Sequence, residues 1–115
     1  MKLLIADDNE DIRKMLKSVC FHLFSDILEC DDGDSAVRIF KQEKPDWVLM
    51  DIRMNRMDGI EATKLISQNY PQAKIIIVSQ HNDKNVIEEV KNSGAHEFVN
   101  KEDLTKIEEV IKKSI

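Results

Sequence analysis

The segment Asp46-Trp47-Val48-Leu49-Met50-Asp51 sets four apolar residues in a row and ends them in a single carboxylate. A short continuous apolar run fits a strand buried on both faces, as in a parallel sheet. Asp51 then stands at the carboxyl end of that strand, where open α/β sheets place their ligands. An acid in that place is a metal ligand, a nucleophile or a turn residue. Taken alone, the turn reading is the strongest of the three.

Working outward, strand and helix signals alternate. Leu3 to Ala6 reads as a first strand, and Asp7-Asp8-Asn9-Glu10-Asp11 offers side-chain acceptors for a helix start. Ile12, Met15, Leu16, Val19 and Leu23 then share one helical face, with Phe21 roughly opposite. Ile27 to Cys30 is a second strand. Asp31-Asp32-Gly33-Asp34 is a turn and cap, Ala36, Val37 and Phe40 mark a second helix, and Pro45 stops it. After Asp51 a loop runs to Gly59, with Asp58-Gly59 as a turn signal. A third helix spans Ile60 to Asn69. Lys74 to Val78 is the most strand-like run, and Val86, Ile87 and Val90 mark a fourth helix ended by Ser93-Gly94. His96 to Val99 is a short fifth strand. Leu104, Ile107, Val110 and Ile111 give a last helix with Lys112 and Lys113 at its negative end.

Five strands alternating with five helices imply right-handed crossovers and a parallel sheet. The expected fold is an α/β, flavodoxin-like, doubly wound sheet of order 2-1-3-4-5. With 115 residues, one domain is expected, large enough for a core without staples. The net charge of −5 comes with no basic stripe, which argues against nucleic-acid binding by this chain. Cys20 and Cys30 have no framework spacing and read as free thiols. No signal or membrane segment is legible, so a soluble cytoplasmic protein with no membrane partner is expected.

The proposed order makes the strand ends one site. The first strand ends in Asp7 and Asp8, the third in Asp51, the fourth in Ser79, and Lys101 follows the fifth. The first and third strands are neighbours ~4.8 Å apart. Carboxylates ~4 Å apart repel by ~4 kcal/mol at an effective dielectric of about 20, so the cluster needs a proton, a cation or both. Hard oxygen ligands suit Mg²⁺, which shares its shell with phosphate oxygens. The set fits phosphoryl transfer to a carboxylate, with Mg²⁺ and Lys101 neutralising oxygens and Ser79 donating to one of them. Each residue also has a plain reading: Asp7 or Asp8 a helix cap, Ser79 a turn hydroxyl, Lys101 a solvated charge. Singly the plain readings are stronger; together at one sheet edge they are not.

These residues are where the sequence resembles the receiver domain of bacterial two-component response regulators. The resemblance rests on Leu3-Leu4-Ile5-Ala6-Asp7-Asp8-Asn9, Asp51, Met57-Asp58-Gly59-Ile60-Glu61-Ala62, Ser79, Gly94-Ala95 and Phe98-Val99-Asn100-Lys101. It covers essentially the whole chain, 1–115, as one receiver domain. It implies that Asp51 is the phosphoacceptor and that Asp8, Asp51 and the Arg53 carbonyl bind Mg²⁺, with Asp7 acting largely through water. It makes Ser79 and Phe98 a switch pair. The implied partners are a sensor histidine kinase or phosphotransfer protein upstream and an output protein or C-terminal output domain downstream. Catalysis is limited to the chain's own phosphorylation and dephosphorylation. Ser79-Gln80-His81 and Lys101-Glu102-Asp103-Leu104 look most like the branch that usually carries a C-terminal helix-turn-helix. None follows here, so a stand-alone or excised receiver is expected.

Departures from the family pattern are Gln80, where a small residue is usual, and Asn55, often proline. Glu102 stands where a cis proline often follows the lysine, so a trans bond is expected there. Phe98 replaces a common tyrosine and has no hydroxyl to donate. His22 and His96 read as surface residues, while His81 is either a loop residue or an influence on water access. Trp47 reads as core or a strand flank, and the scattered methionines read as packing. Gln80 favours the rival reading of an unphosphorylated adaptor, which the intact acid, serine and lysine set opposes. An Mg²⁺-dependent hydrolase lacks a placed acid/base, and three glycines supply no phosphate loop for a flavin or dinucleotide.

Overall fold

The computed structural model describes residues 1–115. Strands β1 (Lys2–Ala6), β2 (Asp26–Cys30), β3 (Trp47–Met50), β4 (Ile75–Ser79) and β5 (Glu97–Asn100) alternate with helices α1 (Glu10–Cys20), α2 (Gly33–Glu43), α3 (Gly59–Asn69), α4 (Lys84–Asn92) and α5 (Thr105–Lys113). All strand pairs are parallel and their order is β2-β1-β3-β4-β5, as expected. No helix is long and apolar enough to cross a membrane.

Successive strand residues point to opposite faces, so an apolar run buried on both faces feeds two cores. Leu4, Val48, Met50, Ile75 and Ile77 pack with Phe40, Ile60, Ile66 and Val90 on one side. Leu3, Ile5, Trp47, Leu49, Ile76 and Val78 pack with Leu16, Cys20, Ile107 and Ile111 on the other. Burying each such side chain stabilises by roughly 1.5–3 kcal/mol before entropy is counted.

Asn9, Asp32, Asp58 and Asp83 cap their helices, each accepting a backbone N–H three residues on. A cap of this kind contributes ~1 kcal/mol. Two local readings change. Asp58-Gly59 is the cap and first residue of α3 rather than a free turn. Asn9, not Asp7 or Asp8, caps α1. The inward stripe of α1 also differs: Met15 is 49% exposed, while Cys20, one turn beyond Leu16, is fully buried. Met15 stands a full 100° step from Leu16, and the small thiol fits the tight space against the sheet. β4 and β5 each lie one residue further along than their apolar content indicates. Ladder pairing of Ser79 with Asn100 carries both strands on.

Cys20 and Cys30 are unpaired, and burial pushes both thiols up to about 11. They are protonated and unreactive near neutral pH.

The β3–α3 loop is pinned. The Gly59 N–H donates to the Ile52 carbonyl at 2.8 Å. A Cβ on Gly59 would overlap the backbone carbonyl of Asp51, which has no free torsion to swing aside. Gly59→Ala is therefore expected to lose at least ~2 kcal/mol of stability. Urea unfolding checks this as a lowered midpoint at unchanged slope; an unmoved midpoint would show that the loop yields freely.

Candidate functional site

The β1–β3 register pairs Ala6 with Met50, so the next residues, Asp7 and Asp51, leave the sheet side by side. The Asp51 N–H donates to the Ala6 carbonyl at 2.8 Å, and the Asp7 N–H donates to the Cys30 carbonyl at 3.1 Å. Asp7 and Asp51 are buried and Asp8 is exposed. One carboxylate oxygen from each of the three lies within 4.8 Å of the others. On the far side, the Lys101 N–H donates to the Ser79 carbonyl at 3.0 Å, extending the β4–β5 ladder past its end. That brings Lys101 Nζ to 3.1 Å from both Asp7 Oδ2 and Asp51 Oδ1.

Burial raises the Asp51 carboxyl above its ordinary range, and the Asp7 charge adds to the rise while Lys101 opposes it. Burial works against the Lys101 ammonium, but the Asp51 and Asp7 carboxylates outweigh it and hold that group above its usual value. Asp7 Oδ1 accepts the Asn9 N–H at 2.9 Å. Asp7 Oδ2 is buried with no hydrogen bond; Lys101 is near it but outside hydrogen-bonding geometry. With one ammonium set against three carboxylates, the cluster keeps an excess of negative charge that invites a further cation. Three acids facing one ammonium, with hard oxygen donors on one open side, fit Mg²⁺ completed by water.

The acids share an open pocket of about 440 Å³ with Arg53, Ser79, Gln80, His81 and Lys101. A larger cleft, about 670 Å³, opens at the opposite sheet edge beside Trp47, Tyr70 and Lys74. It has no converging carboxylates, so the chemistry rather than the size identifies the site. Ser79 is buried, and its Oγ accepts the His81 N–H at 3.0 Å. Phe98 pairs with Ile77 in register and packs, half-buried, against the core beneath α2, α3 and α4. Ser79 lies two residues beyond Ile77 and so shares that face. All peptide bonds are trans, including Lys101–Glu102 as expected.

The expected acids, serine and lysine thus converge at one edge, and Phe98 lies one strand away. His22 and His96 are exposed, and Trp47 is core. Arg13 went unnoticed in the sequence: its Nη1 donates to the Asp7 carbonyl at 2.8 Å. No residue spacing announces that contact, because it depends on how α1 lies against the sheet.

Residues 3–112 match the family described as the response regulator receiver domain. The chemotaxis protein CheY of Bacillus subtilis is 36% identical over 99 residues, which cover 85% of this chain and 82% of that protein. The transcriptional regulatory protein DegU of Brevibacillus brevis is 32% identical over 104 residues, 89% of this chain but 44% of that protein. The chain therefore spans about half the length of such a relative. A solved structure of a LuxR-family DNA-binding response regulator from Staphylococcus aureus superposes with a TM-score of 0.88 at 25% identity, covering 97% of this chain and 96% of that one. A family match over almost the full sequence agrees with an edge chemistry reached from the strands alone, and the chain belongs to the response regulator receiver domains of two-component signalling.

Proposed function

We propose that the chain accepts a phosphoryl group on Asp51 from the phosphohistidine of a sensor kinase or phosphotransfer protein, or from a small phosphodonor. The observation that carries this reading is the buried Asp51 carboxylate, 3.1 Å from Lys101 Nζ and opening onto a pocket shared with two further acids. An Asp51 oxygen forms the new P–O bond while the donor's P–N bond breaks, and the electron pair returns to the imidazole nitrogen. Lys101 follows the negative charge onto the phosphoryl oxygens. Ser79 donates its hydroxyl proton to one of them, since the His81 N–H occupies only an acceptor position. Asp8, Asp51 and the Arg53 carbonyl would hold Mg²⁺, with Asp7 acting through water, and the ion would supply positive charge to the transferring group. Residues 1–115 act as one domain whose only catalysis is its own phosphorylation and dephosphorylation.

The readout is a surface on α4, β5 and α5, offered to an output protein or output domain. Drawing Ser79 inward frees space on the face it shares with Phe98, and Phe98 rotates into it. Moving a two-state population from 1:99 to 99:1 requires ~5.5 kcal/mol of differential interaction. One hydrogen bond to a charged group supplies ~1.5–3 kcal/mol, so Lys101 and Phe98 repacking must share the work.

Incubation with a small phosphodonor and Mg²⁺ is expected to add a single phosphoryl group, seen by mass spectrometry and abolished in Asp51→Ala. Equal labelling of that variant would refute the assignment. Ser79→Ala is expected to keep Mg²⁺ binding and Asp51 modification. Its beryllofluoride-induced amide shifts around Val86–Phe98 are expected to shrink, by about a tenth if the lost hydrogen bond is worth ~1.5 of the required ~5.5 kcal/mol and by more than half if it is worth ~3 kcal/mol. Shifts as large as in the unmutated chain would remove Ser79 from the coupling.

Metal-free stability tests the same cluster. With the folded-state Asp51 carboxyl raised, the folded protein holds that proton more tightly than the unfolded chain does. Its contribution therefore falls as pH rises from the ordinary carboxylate range through the raised value, and the penalty is full above it. Carboxylates this close repel by ~3 kcal/mol at an effective dielectric of about 20, much of it offset by Lys101. Asp51→Asn is expected to raise metal-free stability at pH 7 by about 1 kcal/mol, roughly 4 °C in Tm. Thermal scans across pH check it; a lower Tm at pH 7 would mean that Lys101 wins.

A further inference from the structure

Asp8 completes the acidic cluster, yet its exposed carboxylate is held by no hydrogen bond or ion pair of its own. Its place follows from the backbone just before it. The Asp7 N–H is fixed to the Cys30 carbonyl of β2 at 3.1 Å. The Asp7 carbonyl, whose peptide leads to Asp8, accepts from Arg13 Nη1 at 2.8 Å. Arg13 Nε donates in turn to Glu29 Oε1 at 3.1 Å, and Lys17 Nζ holds Glu29 Oε2 at 2.8 Å. The Arg13 side chain is 18% exposed and that of Glu29 32%, so this bridge from α1 to the edge strand β2 lies at the surface with Arg13 as its better-covered member. Both polar ends of Asp7's main chain are thereby tied to β2, one directly and one through the planar guanidinium.

We propose that Arg13 is a positioning residue for the cation site, setting the Asp7–Asp8 peptide plane so that Asp8 faces Asp7 and Asp51. The proposal rests on the receiver reading above. Charge alone makes the opposite forecast. A guanidinium beside three carboxylates weakens their hold on a divalent cation, so removing it should tighten Mg²⁺ binding. Positioning requires that removing it loosen binding. The sign of the change separates the two. Arg13→Lys sharpens the comparison, because it keeps the charge and loses the fork that reaches Asp7 and Glu29 together.

The test titrates Mg²⁺ alone into the full 115-residue chain by calorimetry and follows amide hydrogen exchange in the metal-free protein. Arg13→Met and Arg13→Lys are both expected to weaken Mg²⁺ binding about 10-fold, the low end of what loss of an outer partner costs a metal site. Asp8 and Asn9 amides should exchange faster in both, with Leu16 in α1 unmoved as evidence of an intact fold. Lys17→Met, which touches Glu29 but not Asp7, should leave affinity unchanged or slightly tighter. Binding as tight as in the unmutated chain, or tighter, in Arg13→Lys overturns the positioning role even if Arg13→Met fails to fold. An unmutated chain with no saturable Mg²⁺ response overturns the metal reading itself, and this proposal with it.

Discussion

Two buried carboxylates share one ammonium at the heart of this molecule. Lys101 sits 3.1 Å from an oxygen of Asp7 and from one of Asp51, while the like charges face each other across the same gap. In such surroundings a single cation cannot neutralise the whole cluster, and one Asp7 oxygen is left without a hydrogen bond. The protein tolerates this because the acids are the direct continuations of β1 and β3, locked in register by an apolar sheet. The hydrophobic cores on both faces supply the stability against which the local electrostatic cost is set.

The loops around the cluster have little freedom. A Cβ on Gly59 would strike the Asp51 carbonyl, and one on Gly33 would strike the Met57 carbonyl. The β3–α3 loop is thus packed between Asp51 and the start of α2. Four aspartate or asparagine caps begin their helices at the same edge, so none of Asp7, Asp8 and Asp51 is used as a helix cap. The acidic site lies beside a buried Ser79, and Ser79 shares a sheet face with the half-buried Phe98.

Much of this was legible in the residues. An uninterrupted apolar strand reports burial on both faces, because parallel sheets need helices on each side. The alternation of elements implied a parallel sheet and favoured the order 2-1-3-4-5 without proving it, and the three acids, Ser79 and Lys101 stood out because they sit where those strands end. The sequence alone thus determined the fold class, the composition of the acidic edge and the family resemblance, since periodicity and chain order are local properties. It misjudged what local patterns do not encode. Met15 looked like a core residue until packing turned Cys20 inward instead. Tertiary structure alone decided the shared Lys101 contact, the Asp7 oxygen that faces Lys101 without a hydrogen bond, and the reach of Arg13 to the Asp7 carbonyl. Each depends on angstrom-scale placement between segments far apart in sequence, and only the packed sheet sets those distances.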